Sequence, residues 1–209
     1  GALDPSCEVH YGAPLPRSKT LHGVMIDDRV ALSIIGPGPT GRASRERADR
    51  EWAAAMDAYA MSCGQPVEEK TLRHAGAGRV WGAWLDGQRG TIGGPPARRA
   101  ALAMLSLRLA ACGWGTAPLV RSLAGSWVFP LLFRREALAF LQGVFHVDLA
   151  VEGLQRLSPG VRTELTLMAL VTPLLVTDLR APVAPVLWCT DASPKVGALV
   201  RARLSPRVA

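Results

Sequence analysis

The chain has 209 residues, enough for one sizeable domain or two small ones with a substantial core. Hydrophobic residues make up 49% and charged residues 20%, which excludes an intrinsically disordered chain. The net charge is +7, and all but three of the 24 basic residues (Lys19, Lys70 and Lys195) are arginines, whose flat fork of donors suits phosphate.

In chain order, residues 1–16 are rich in Pro and Gly and read as loop. Residues 21–25 and 29–35 read as two β-branched, apolar strands around Ile26-Asp27-Asp28, an antiparallel hairpin with its acids at the tip. "GPGPTG", residues 36–41, then breaks the pattern as a Pro/Gly turn. Residues 44–63 have helical character, with Trp52, Met56, Tyr59 and Cys63 along one face, and Gly64 and Pro66 stop the helix. Within residues 79–92, Asp86-Gly87 predicts a two-residue hairpin turn.

Pro95-Pro96 launch a helix through Cys112, closed by Gly113. Leu102, Leu105 and Leu109 are expected inward, and Arg98, Arg99 and Arg108 outward. Further helices are expected from Thr116-Ala117-Pro118, over residues 134–145, and from Ser158-Pro159 with Val161, Leu165 and Met168 on the buried face. The chain closes with an apolar strand, "PVLWCTDAS", running into Asp191, and a short basic tail.

The four cysteines, Cys7, Cys63, Cys112 and Cys189, form no CxxC pair, and Cys7 and His10 have no second ligand pair at zinc-finger spacing. They read as reduced, mostly buried thiols of an intracellular protein. "GALDPSCEVH" lacks the basic n-region and apolar core of a secretory signal, so secretion is not expected. The longest uncharged apolar stretch, 165–177, contains Pro173 and is too short to cross a bilayer, so no membrane partner is expected.

Three signals compete to carry chemistry. Adjacent carboxylates on a rigid hairpin, Asp27 and Asp28, suit a hard cation such as Mg²⁺ (or Mn²⁺) that bridges to phosphates, although an acidic turn is the commoner meaning of turn aspartates. "GPGPTG" matches G-x-G-x-x-G after a strand and before a helix. Pro37 and Pro39, however, delete amides that a dinucleotide loop would aim at a pyrophosphate, and the acidic residue expected downstream falls near Asp57, inside a helix. Charge is the third signal: residues 71–147 hold nine arginines against two acids, Asp86 and Glu136, so this segment alone carries the whole surplus. No Ser/His/Asp or Cys/His set stands out. Trp81 and Trp84 are the tryptophans best placed to stack on bases.

The order of these features resembles the back half of a retrotransposon reverse transcriptase running into the start of a ribonuclease H domain. "MIDD" stands where that family has Tyr-x-Asp-Asp, with Met25 in the tyrosine position. "EEKT" matches its lysine-bearing turn, and "VWG" at Val80, Trp81 and Gly82 matches its primer-gripping hairpin. "TDAS" at Thr190 to Ser193 matches the opening ribonuclease H strand.

The resemblance implies an α+β fold: a loop or palm remnant over 1–16, a partial polymerase palm of β-hairpins over 17–94, a helical thumb and connection over 95–182, and the first strand of a ribonuclease H-like domain over 183–209. It implies two-metal nucleotidyl transfer, with Asp27 as principal Mg²⁺ ligand, Asp28 its neighbour and Asp191 the first carboxylate of an RNA-cutting site. Lys70 is expected near the incoming deoxynucleoside triphosphate. Trp81 and Gly82 are expected on the primer backbone, and Arg79, Arg98 and Arg99 on phosphates. The implied partners are an RNA template and a DNA primer strand, and the oligomeric state is left open. The family's third polymerase carboxylate, its fingers and three further ribonuclease H acids find no match, so the expectation is a fragment inactive by itself. A non-catalytic, basic nucleic-acid-binding protein is the alternative.

Overall fold

Alternating apolar stretches and Pro-started helices produce a mixed α+β chain with small antiparallel sheets. The computed structural model describes residues 5–10, 12–14, 16–25, 28–36, 38–62, 67–147, 152–182, 184–192 and 195–203. The chain divides into two units, residues 1–85 and 86–209.

In the first unit, β1 (Thr20–Met25) pairs antiparallel with β2 (Asp28–Ser33), from Thr20 opposite Ser33 to Met25 opposite Asp28. The Thr20 and Ser33 hydroxyls, 3.1 Å apart, close the open end of this hairpin. Helix α1 (Gly38–Met61) follows. It starts six residues before the expected Ser44, so the last part of "GPGPTG" is helix rather than turn. Proline is tolerated in a first helical turn because its missing amide would have no intrahelical partner there. Gly41 is required, because any Cβ would collide with the Gly36 carbonyl. Gly41 is therefore used for close packing, after a strand in an antiparallel hairpin, and this arrangement does not fit a dinucleotide-binding loop.

The expected apolar face of α1 is only half-buried at Trp52, Met56 and Tyr59. Ala55 is the buried residue, and the Arg73 guanidinium lies over the Trp52 ring at 5.3 Å. Cys63 lies outside the described residues. The unit ends with β3 (Ala77–Val80) and β4 (Ala83–Asp86), neighbours in one sheet. A two-residue turn forms at Trp81-Gly82, where φ is +47° and +82°, and the turn expected at Asp86-Gly87 forms over four residues, 87–90, rather than two. Asp86 opens a longer connection, in which its Oδ1 accepts from the Arg89 amide at 2.9 Å and Gly90 takes the left-handed conformation.

In the second unit, β5 (Thr91–Gly93) leads into α2 (Pro96–Cys112), β6 (Trp114–Gly115) and α3 (Ala117–Leu131). Next come a 3₁₀ stretch (Arg135–Leu141), a single turn α4 (Gln142–Phe145), β7 (Gln155–Arg156) and α5 (Pro159–Val171). The unit ends with β8 (Val176–Asp178), β9 (Val186–Ala192) and β10 (Gly197–Arg203). β5 pairs with β8, β6 with β7 and β9 with β10, all antiparallel.

Helix ends form where the caps are. Thr116 and Ser158 accept from the Leu119 and Val161 amides, and Gly113 (φ +73°) closes α2. The Arg162 guanidinium also caps α2, donating to the Ala110 carbonyl at 2.7 Å.

Helices α2, α3 and α5 enclose the core, with Leu102, Leu109, Val120, Trp127, Leu165 and Met168 buried. Each such side chain contributes about 1.5–3 kcal/mol relative to exposure. Leu105, expected inward, is 41% exposed; Ser106 takes the buried position and accepts from Trp127 Nε1 at 3.0 Å. The helix expected over 134–145 is mostly 3₁₀ and breaks before α4, where the Gly143 and Val144 amides donate to the Glu164 carboxylate instead of continuing a helical ladder.

The segment read as a basic tail contains β10, which pairs antiparallel with β9. Of the described cysteines, Cys7 is buried as expected, but Cys112 and Cys189 are exposed. No helix among the described residues is long and apolar enough to cross a membrane.

Candidate catalytic hairpin and nucleic-acid interface

Residue pairing brings the acidic motif to the closed end of the β1–β2 hairpin. Asp28 opens β2 opposite Met25, with only Ile26 and Asp27 between the strands in sequence. Asp27 lies outside the described residues, as does the side chain of Asp28. Next along β2, Arg29 is half-buried and donates to the Glu51 carbonyl of α1 at 3.4 Å. Burial lowers its pKa, while the charges of Glu51 and Tyr59 pull the other way. This contact fastens the hairpin to α1. On β1, His22 is 1% exposed, and neither ring nitrogen has a hydrogen-bond partner among the described residues.

The "VWG" turn reaches this hairpin from more than fifty residues away in sequence. Trp81 holds a left-handed φ of +47°, a conformation disfavoured for a bulky residue by about 1 kcal/mol or more. What it gains is a seat on β1. A Cβ built on Gly23 would stand 3.1 Å from Trp81 Cη2, so the indole edge occupies the space that the missing side chain leaves. An isolated glycine inside a strand pattern is a sign of such close approach, and it was available in "LHGVM". Trp81 remains 38% exposed, and Arg79 is exposed on the strand before it.

Valine at position 23 is expected to push the indole away and destabilise the first unit by about 1–3 kcal/mol. In a double-mutant cycle with Trp81→Ala, the two effects should be non-additive, as read from denaturant midpoints. Additive losses would mean that the glycine serves the strand alone.

Lys70 closes a 3₁₀ turn (Glu68–Lys70), and its side chain lies outside the described residues. In the second unit, Arg98 is exposed on the first turn of α2. Arg99 is half-buried, with Nε donating to the Gly94 carbonyl at 2.9 Å and Nη1 to the Thr172 carbonyl at 2.8 Å, and burial lowers its pKa. Two of its three nitrogens therefore hold the fold. Asp191 is exposed on β9, opposite Ala198.

The structure thus joins Gly23, Arg29, Trp81 and Gly82 to the acidic hairpin in one unit, and holds Arg98, Arg99 and Asp191 in the other. Gly23 and the Arg29–Glu51 tie are the parts that motif reading missed.

Chemically, two adjacent carboxylates fit Mg²⁺, which is commonly held by one or two carboxylates and completes its shell with waters and phosphate oxygens. No cluster of three His, Cys, Asp or Glu that could hold a metal occurs among the described residues. No protein-family model, curated protein or solved structure matches this chain.

Proposed function

We propose that this chain belongs to an RNA-directed DNA polymerase of a retroelement and carries the palm hairpin, primer-gripping turn, thumb and opening ribonuclease H strand. The observation that carries the reading is the seat of Trp81 on Gly23. The primer-gripping turn, distant in sequence, thereby meets the strand that leads into the acidic motif, two residues before Met25. Further support comes from the tight pairing of Met25 with Asp28 and from Asp191 lying on a strand.

In this reading Asp27 and Asp28 would hold Mg²⁺, which supplies positive charge against a nucleotide's phosphates. Trp81 and Gly82 support the primer backbone, Lys70 lies near the incoming nucleotide, and Arg79 and Arg98 contact phosphates. Asp191 is the first carboxylate of an RNA-cutting site. The partners are an RNA template and a DNA primer strand.

The excess of nine arginines over two acids in residues 71–147 favours a second reading, a basic nucleic-acid-binding protein without catalysis. Binding of an RNA–DNA primer-template hybrid, measured by fluorescence anisotropy with and without Mg²⁺, separates the two. The polymerase reading expects a Mg²⁺-dependent gain in affinity that Asp27→Asn removes. Binding that is steeply salt-sensitive, indifferent to Mg²⁺ and unchanged in Asp27→Asn would leave only the second reading.

A further inference from the structure

The β9–β10 hairpin segregates its charges between two faces. Side chains alternate along a strand, and directly paired residues share a face. Trp188 stands opposite Arg201 and Val186 opposite Arg203, so the indole and both guanidinium groups lie on one side. Leu187, Cys189 and Val200 lie on the other, together with Asp191, the only acid between residues 186 and 203. The sheet itself thus separates Arg201 and Arg203 from the hairpin's carboxylate.

The arginine face is open. Trp188 is 56% exposed, and every residue of β10 is exposed. The Arg201 guanidinium lies over the Trp188 ring, 5.4 Å from its centroid, so the indole steadies the cation. This contact engages charge and leaves the N–H groups to donate elsewhere. Neither Arg201 nor Arg203 makes a hydrogen bond or ion pair among the described residues, and the donors of both are available to an acceptor.

An exposed indole beside two unpaired guanidinium groups suits a polyanion that also carries aromatic rings. Arg201 and Arg203 are two residues apart on one strand, about 6.8 Å by strand rise, close to the step between successive phosphates of an extended nucleic-acid strand. A base that stacks on the Trp188–Arg201 pair gains from both ring and charge. Only an unpaired base has a free face to offer, because a base inside a duplex is stacked on both sides.

We propose that this face, built from Trp188, Arg201 and Arg203, is a binding platform for single-stranded nucleic acid. The assignment does not rest on the polymerase reading, whose residue on this hairpin, Asp191, belongs to the opposite face.

Fluorescence anisotropy of a short, labelled oligothymidylate, titrated with the full chain in EDTA, measures the affinity. Trp188→Ala should weaken binding about fivefold or more, whereas Trp188→Phe keeps a stacking ring and should retain most of the affinity. Arg201→Ala/Arg203→Ala should weaken binding about tenfold or more. It should also flatten the slope of log K against log salt by about 1.4, the share of two single-strand phosphate contacts. Arg45→Ala/Arg50→Ala removes equal charge from exposed positions on α1 and should leave affinity and slope nearly unchanged. The altered side chains are all exposed, so the thermal midpoints should hold.

NMR localises the contact: the indole N–H signal that is missing from Trp188→Phe should shift, and saturate, as oligothymidylate is added. Affinity indifferent to both platform variants, equal losses in the α1 variant or an unmoved Trp188 signal would overturn the site. A thymidylate–adenylate duplex that competes as well as the single strand would overturn the single-strand assignment. Because Mg²⁺ is absent throughout, failure here and failure of the polymerase reading are told apart.

Discussion

Replacing Trp127 with alanine is expected to destabilise the second unit by about 3–5 kcal/mol, the largest single effect on this chain's folding. Trp127 is fully buried on α3 among Leu102, Leu123, Leu131, Leu165 and Met168. Its removal deletes the greatest volume in the core and leaves a cavity between helices that already pack closely. It also takes away the donor that satisfies Ser106, a fully buried hydroxyl on α2. Trp127→Phe separates the two causes. Phenylalanine keeps most of the apolar contact but leaves the hydroxyl without its indole partner, so a loss of about 1–3 kcal/mol is expected. In urea, with a slope near 1.5 kcal/mol/M, the alanine variant should lower the midpoint of the second unit by roughly 2–3 M. A shift of only a few tenths of a molar would mean that this core is not the one that holds the unit together.

Glu164→Ala should cost about 3 kcal/mol and should act at a distance. The side chain stands in the middle of α5, yet its two oxygens accept from the Gly143 and Val144 amides, each at 2.8 Å. Those amides open the single turn of α4, where no intrahelical carbonyl can reach them. Hydrogen bonds to a charged acceptor are worth about 1.5–3 kcal/mol each, and two partly buried donors would lose their partner together. Glutamine keeps one acceptor and turns an amino group toward the second donor, so Glu164→Gln should recover less than half of the loss. Hydrogen exchange gives the specific readout: the amides of 143 and 144 should lose protection in Glu164→Ala while those of α2 keep theirs. Gly143 belongs to the same device, since a Cβ there would stand 3.0 Å from Glu164 Oε1.

Helix ends were the most legible part of the sequence. Thr116 and Ser158 each precede a helix with proline in its first turn, and Gly113 follows one, and these local preferences operate wherever the helix packs. The β1–β2 hairpin was legible for a similar reason, because its β-branched alternation and its acidic break lie within one short window. The misreadings share a different cause. Leu105 and Ser106 are neighbours on α2, and which of them turns inward depends on where the Trp127 indole places its N–H. The residues after 134 have ordinary helical composition, but Glu164, arriving from a later helix, takes the amides that would have continued the turn. The turn at Asp86-Gly87 forms but runs to Gly90, with the Asp86 carboxylate accepting from the Arg89 amide, and the turn at Trp81-Gly82 places the indole edge on Gly23.

The candidate site divides in the same way. The adjacent aspartates, the arginine surplus and the order of the motifs are properties of the chain read end to end, and they need no coordinates. The meeting of "VWG" with the acidic hairpin and the two carbonyls that occupy Arg99 were decided by tertiary structure alone. Short-range rules act on φ, ψ and neighbouring side chains, so they leave their mark in a few consecutive letters. A contact between residues 23 and 81, or between 99 and 172, is set by which surfaces exclude water together, and no single window of sequence contains both partners.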